Sequence, residues 1–250
     1  MSVSASQSTG LHGTEPCVRR GGWRLIWRAA LVAAVLATAW LAYPHVLPLA
    51  GGLLVVDEPC SDFSHVLLGG GDHRFDIAAE LYRKNPSRRL VLIEPCPSRL
   101  VRNGIIPSFE NICRRELNAR GVPNEAVELI PGEARNAWAA ARLLRQWISD
   151  HPDARLLVLC NRFASRRQRS VLDAVLGPED AARVFIRGLP DRRYHETNWW
   201  QSRCGAREFV FGSLALAYLW CRGEGREDPQ QWNPDDYERM LCRTAADASP

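Results

Sequence analysis

The stretch "SHVLLGGGDHRFDIAAELYRK", Ser64 to Lys84, decides how the rest of the chain is read. His65 to Leu68 is a short apolar run ending at three glycines. After Arg74, Phe75, Ala78, Ala79 and Tyr82 fall on one side of a helix. Strand, glycine turn and helix, in that order, present backbone N–H groups to an anion. "GGGDHR" has no glycine where the helix starts, so it is not the G-x-G-x-x-G fingerprint of a dinucleotide site. A tight connection and a ligand wall both remain open for Gly69, Gly70 and Gly71.

Downstream, the same alternation repeats. Arg89 to Glu94 reads as a second strand, followed by a Pro-rich link from Pro95 to Pro107. Ser108 is a candidate N-cap, with Phe109, Ile112, Cys113 and Leu117 forming a helical face that ends at Gly121 and Pro123. Ala126 to Ile130 is the third strand, and Glu133 to Ser149 a long helix. Arg155 to Cys160 is the most strand-like segment, Arg166 to Leu176 a helix closed by Gly177, and Arg183 to Leu189 a fifth strand. Continuous apolar strands separated by helices are buried on both faces of a parallel sheet. The expected fold is a three-layer α/β/α, Rossmann-like domain with a mainly parallel sheet of at least five strands.

Ligands of such sheets bind outside the carboxyl ends of the strands. The residues placed there are Gly69, Gly70, Gly71, Asp72 and Arg74 after the first strand and Glu94 after the second. The third is followed by Glu133 and Asn136, and the fourth by Asn161, Arg162 and Arg167. Guanidiniums bind phosphate or carboxylate in a bidentate manner, so this set suits an anionic small molecule. Glu94 and Glu133, ending adjacent strands, are candidates to face one pocket. Cys160 sits at a strand end but lacks an identifiable base; His65, His73 and His195 are the nearby imidazoles, and a free cysteine is ordinarily a small buried hydrophobe. No cofactor is required by the sequence.

Ahead of this domain, Arg19, Arg20, Arg24 and Arg28 precede an apolar run from Ala29 to about Leu49. The run has the ~20 residues that cross a hydrocarbon core. Trp23, Trp27, Trp40 and Tyr43 sit where interfacial anchors belong, and the basic flank places the N-terminus on the cytoplasmic side. A single-pass anchor within residues 25–49 is therefore expected in the plasma (inner) membrane, with the domain on its outer, periplasmic side. A cleaved signal peptide (Ala37-Thr38-Ala39 fits the cleavage pattern) and a buried N-terminal helix are the alternatives. The expected organisation is a disordered basic N-terminus over 1–22, the anchor over 23–50, the α/β domain over 53–223 and a polar tail over 224–250. That tail holds a short candidate helix in "DPQQWNPDDYERMLCRT". Phe209 to Cys221 is too short to span and is expected to cover the sheet, with a membrane-surface helix as the alternative; Trp199 and Trp200 are expected in the core, with sugar stacking or the bilayer face as alternatives.

Lys84 is the only lysine, and the net charge of +4 is carried without a polybasic run interleaved with aromatics, so nucleic acid is not an expected partner. None of the eight cysteines forms a C-x-x-C pair, which leaves a zinc site without support.

Four blocks resemble the YdcF/SanA/ElyC-like family. "VVDEPCSDFSHVLLGGGDHRFDIAAELYRK" is similar to that family's strand, Gly-rich turn and Arg-led helix, with Arg74 as the Arg. "FENICRRELNARGVPNEAVELIPGEARNAWAAARLL" resembles its second block through Glu110, Gly121-Val122-Pro123, Glu133 and Asn136. "LVLCNRFASRRQRSVLDAVLG" and "NWWQSRCGAREFVFGSLALAYLW" resemble the third and last blocks, the latter with Glu208 as the family's helix-leading Glu. The chain departs at Glu94-Pro95-Cys96 where the family has Ser-Gly-Gly, at Cys160 for Thr, at Ala137 for Thr and at Ala164 for the His of His-x-x-Arg, while Arg167 keeps the Arg place. The resemblance implies a part in cell-envelope biogenesis, with transfer or hydrolysis at a phosphate ester as the reaction class of any enzyme here. A non-catalytic interaction protein recruited to an envelope complex and an adenosyl-cofactor-binding protein are the alternatives.

Overall fold

The computed structural model describes residues 21–69 and 73–222, with side chains from residue 26 onward. The expectations for Gly70, Gly71 and Asp72, for residues 1–20 and for the tail from 223 lie outside the described residues. The chain divides into two compact units, residues 1–46 and 47–250.

Helix α1 (Gly21–Gly52) forms nearly all of what is described in the first unit and ends inside the second. Its segment Ile26–Gly52 is long and apolar enough to cross a membrane, with none of that apolar window buried. Within that run the Thr38 hydroxyl donates back to the Ala34 carbonyl at 2.8 Å, so it is satisfied by the helix's own backbone.

The second unit is built on five strands: β1 (His65–Leu68), β2 (Arg89–Pro95), β3 (Val127–Ala134), β4 (Leu156–Asn161) and β5 (Val184–Leu189). Their order is β3-β2-β1-β4-β5 and every pairing is parallel. Side chains alternate between two cores. Val66, Leu68, Leu90, Leu92, Leu157 and Leu159 face α2 (Arg74–Lys84) and α4 (Phe109–Asn118). Leu67, Val91, Leu156, Val158 and Cys160 face α5 (Ala137–Asp150) and α6 (Ser165–Leu176). Both strand faces being apolar is what the continuous runs in the sequence required. The three-layer α/β/α architecture, Rossmann-like, is thereby established.

Several boundaries differ from the sequence expectation. The Pro-rich link contains one turn of helix, α3 (Arg99–Arg102), capped by Ser98, and a second one-turn helix, α7 (Pro178–Ala181), precedes β5. Strand β3 runs on to Ala134, so Glu133 is strand and not helix. The register with β2 jumps between Ile93 and Glu94, pairing Ile93 with Ile130 but Glu94 with Glu133. Gly132, at φ 114°, turns the chain at this bulge. The true N-cap of α5 is Asn136, whose side chain accepts from the Ala139 N–H at 2.8 Å.

A third, smaller core joins the end of α1 to the C-terminal helix α8 (Arg203–Arg222) through Leu54, Phe163, Tyr194, Trp199 and Leu216. Trp199 is buried, as expected. Helix α8, expected to cover the sheet, buries only Gly205 and Leu216 and leaves much of its apolar surface open.

Candidate functional site

A cavity of about 730 Å³ opens over the carboxyl ends of the strands. Its floor is Leu67 to Gly69 from β1, Ile93 and Pro95 from β2, Ala134 from β3 and Val158 to Asn161 from β4. This is where the strand order turns back, β1 having β2 on one side and β4 on the other. The walls come from the first turns of α2, α4, α5 and α6 and from one side of α8.

Gly69 is a glycine for a steric reason. Its N–H donates to the Leu159 carbonyl at 2.9 Å, and a Cβ placed on it would lie 2.4 Å from that same oxygen. So β1 and β4 approach closely just where the cavity begins, and Gly69 is both a structural contact and part of the lining.

Arg74 opens α2 and reaches into the cavity. Its guanidinium carbon lies 4.8 Å from the centre of the Phe75 ring and 5.1 Å from that of Phe109, the first residue of α4. Its Nε is buried and has no hydrogen-bond partner among the described residues. Burying a guanidinium N–H without an acceptor is costly, and the two rings hold the group in place by cation–π contact without satisfying that donor. Arg167, on the first turn of α6, also lines the cavity and forms no hydrogen bond or ion pair among the described residues. With Arg135 at the mouth, the lining holds three arginines against one carboxylate, Glu208. Glu208 is itself engaged, by Asn161 Nδ2 at 3.5 Å and Arg207 at 3.1 Å.

Of the residues expected at the site, the cavity gathers Gly69, Arg74, Asn136, Asn161 and Arg167. Asn136 and Asn161 both use their Oδ1 to cap helical turns, which leaves Asn136 its amide N–H groups for a ligand. Three others point elsewhere. The Glu94 carboxylate accepts from the backbone N–H groups of Phe109 (3.0 Å) and Glu110 (2.9 Å), closing the N-terminus of α4. Glu133 pairs with Glu94 in register but is exposed and outside the lining, so the two carboxylates do not share a pocket. Arg162 forks onto Glu196 at 2.6 and 2.7 Å and donates to the Gly188 carbonyl at 3.2 Å, tying the turn after β4 to the loop after β5. That pair lowers the Glu196 carboxyl below its usual range, the Arg162 hydrogen bond being the main cause.

The thiol of Cys160 lines the cavity, but burial pushes it up to about 12, an effect larger than the opposing pull of Arg167. The ionised nucleophile is therefore scarce at neutral pH. Among the described residues, no imidazole lines the cavity. His65 starts β1 and so lies at the amino end of the sheet, edge-on to Trp147 and near His151. His73 precedes α2, and His195 bonds within its own loop to Thr197. Among the described residues, no group of three or more His, Cys, Asp and Glu side chains is placed to hold a metal ion.

The sequence reading missed the wall built by α8: Phe211, Gly212 and Ala215. A signal was present in Gly212, since a glycine inside an apolar helix costs stability and marks a close approach. A Cβ there would stand 2.8 Å from the Phe163 carbonyl. Phe109 was also missed as a partner of Arg74, because nothing local links residues so far apart in the chain.

The cavity can hold an anion against Arg74 and Arg167 while apolar walls enclose the rest of the molecule. No family model matches the chain, and no curated protein matches it.

Proposed function

We propose that this chain is a membrane-anchored α/β domain of the YdcF/SanA/ElyC-like type, facing outward, that binds an anionic cell-envelope metabolite, a sugar phosphate or lipid phosphate, above its strand ends. The observation that carries this reading is Arg74. Its guanidinium lies 4.8 and 5.1 Å from the centres of two phenyl rings, its buried Nε has no acceptor among the described residues, and it shares a cavity with Arg167, which has no partner among them either. A phosphate oxygen would supply the missing acceptor and offset both charges. The apolar helix Ile26–Gly52 supports the anchor, and its basic N-terminal flank supports the outward orientation.

A second reading, a non-catalytic interaction protein of the same fold, is favoured by Ala137 and Ala164. Both line the cavity at places where the resemblance calls for Thr and His, and Cys160 is held as a neutral thiol. Binding is thus better supported than turnover.

The test is thermal unfolding of the full chain in mild detergent with sugar nucleotides, polyprenyl phosphates, adenosyl compounds and inorganic phosphate. A ligand at 100 times its Kd stabilises the fold by about 2.7 kcal/mol. A shift that disappears in an Arg74→Ala, Arg167→Ala double variant supports the site. Absence of a shift with every compound transfers the assignment to the interaction reading.

A further inference from the structure

Helix α8 turns its charged ends and an apolar middle to the outside. Phe211, Leu214 and Tyr218 are 64%, 62% and 65% exposed, and Val210 beside them is half exposed. At 3.6 residues per turn these four fall within an arc of about 100°. The opposite side of the helix carries Leu216 into the core and Gly212 against Phe163. Arg203 and Arg207 precede the stripe and Arg222 ends it, and all three are exposed. An outward apolar stripe with aromatic rings, bounded by arginines, is the composition of a helix lying in a membrane interface.

The end of α1 says which surface covers it. The last turns of the apolar helix, Leu47 to Gly52, belong to the same compact unit as α8. Trp199 donates its Nε1–H to the Leu47 carbonyl at 2.9 Å and stacks on Phe209 of α8 at 3.7 Å between ring centres. A Cβ on Gly51 would stand 2.5 Å from the Glu196 carbonyl, and one on Gly212 would lie 3.3 Å from Leu54. The last residues of the segment fit to cross a membrane, Leu47 to Gly52, therefore lie in the unit that holds α8. Leu53, exposed beside Leu54, extends the apolar surface toward that point.

We propose that the outward stripe of α8 rests in the headgroup layer of the bilayer that α1 enters, with anionic lipid as its partner through Arg203, Arg207 and Arg222. The inference rests on the reading of α1 as an anchor. It sets the cavity at the membrane surface, because Phe211 belongs both to the stripe and to the cavity wall.

The full chain would be reconstituted into phosphatidylethanolamine–phosphatidylglycerol vesicles containing a phospholipid with a photoactivatable acyl chain, and adducts mapped by peptide mass spectrometry. Adducts are expected on residues 26–46 and again on the peptide holding Phe211 to Tyr218. A Phe211→Ser, Leu214→Ser, Tyr218→Ser variant is expected to lose the second set by about tenfold or more and to keep the first. These side chains are exposed, so circular dichroism should show the fold retained. Adducts on residues 26–46 alone overturn the inference and leave the anchor standing. In that case, cross-links between copies of the chain would assign the stripe to a dimer, and protection by residues 223–250 in a monomer would assign it to the tail. A chain without adducts at either place overturns the anchor and the inference together.

Discussion

Replacing Gly69 by alanine tests the steric origin of the β1–β4 approach at the cavity floor. The added Cβ would stand 2.4 Å from the Leu159 carbonyl oxygen, where ordinary contact is 3.4–4 Å, so the strands would have to part by about 1 Å at that point. The obstacle is backbone and cannot rotate away. Overpacking of this kind costs about 1–3 kcal/mol, and weakening the Gly69–Leu159 hydrogen bond adds about 1 kcal/mol. Reduced freedom of the unfolded chain returns about 0.4–1 kcal/mol. The net loss is about 1–3 kcal/mol, which for a domain of this size lowers Tm by about 2–12 °C. Gly52→Ala is the control: nothing lies within 4 Å of its Cβ position and its φ is not positive, so it should hold or raise Tm. Both variants, as full chains in the same detergent and at the same scan rate, are followed by circular dichroism. If Gly69→Ala melts with Gly52→Ala, the close approach is not a constraint on this fold, and Gly69 would have to be explained by ligand contact alone.

Four further outcomes are expected. Leu157→Ala, at a fully buried site between the sheet and its helices, should lose about 2–5 kcal/mol in urea unfolding. Glu94→Ala should leave two N–H groups of α4 without an acceptor and cost about 1–3 kcal/mol, while leaving affinity for an anion at Arg74 unchanged. Glu196 has its folded pKa below its ordinary 4.5, so its pairing with Arg162 stabilises the protein above that pH and is lost as the pH falls through the folded value. Urea midpoints taken from about pH 6 to about pH 3 should therefore drop less in Glu196→Gln than in the parent. Alkylation of the native chain at about pH 8 should mark the exposed Cys96 and Cys221 and spare Cys160, whose thiol is pushed up to about 12.

What the sequence determined by itself was the layering and the identity of the strand ends. Runs such as Leu156 to Cys160 are apolar at every position, and only a strand covered on both faces can bury them, so parallel strands with helices on either side follow from local pattern. Brought to one end of the sheet, the same runs carry Gly69, Arg74, Asn136, Asn161 and Arg167 toward one cavity. Where a charged side chain turns was decided by tertiary structure alone. Glu94 lies at the end of β2 and Arg74 follows β1, yet Glu94 closes a helix N-terminus fifteen residues away while the Arg74 Nε, near two rings, has no acceptor among the described residues. Arg162 and Arg167 differ in the same way, one forked onto Glu196 from a distant loop and the other left to the cavity. A long polar side chain takes the nearest unpaired partner in space, and that partner is set by contacts between segments far apart in the chain. The apolar face of α8 divides on the same ground: its composition pointed first to a sheet cover and second to an interface helix, and only packing against Trp199 and Phe163 shows which side remains outward.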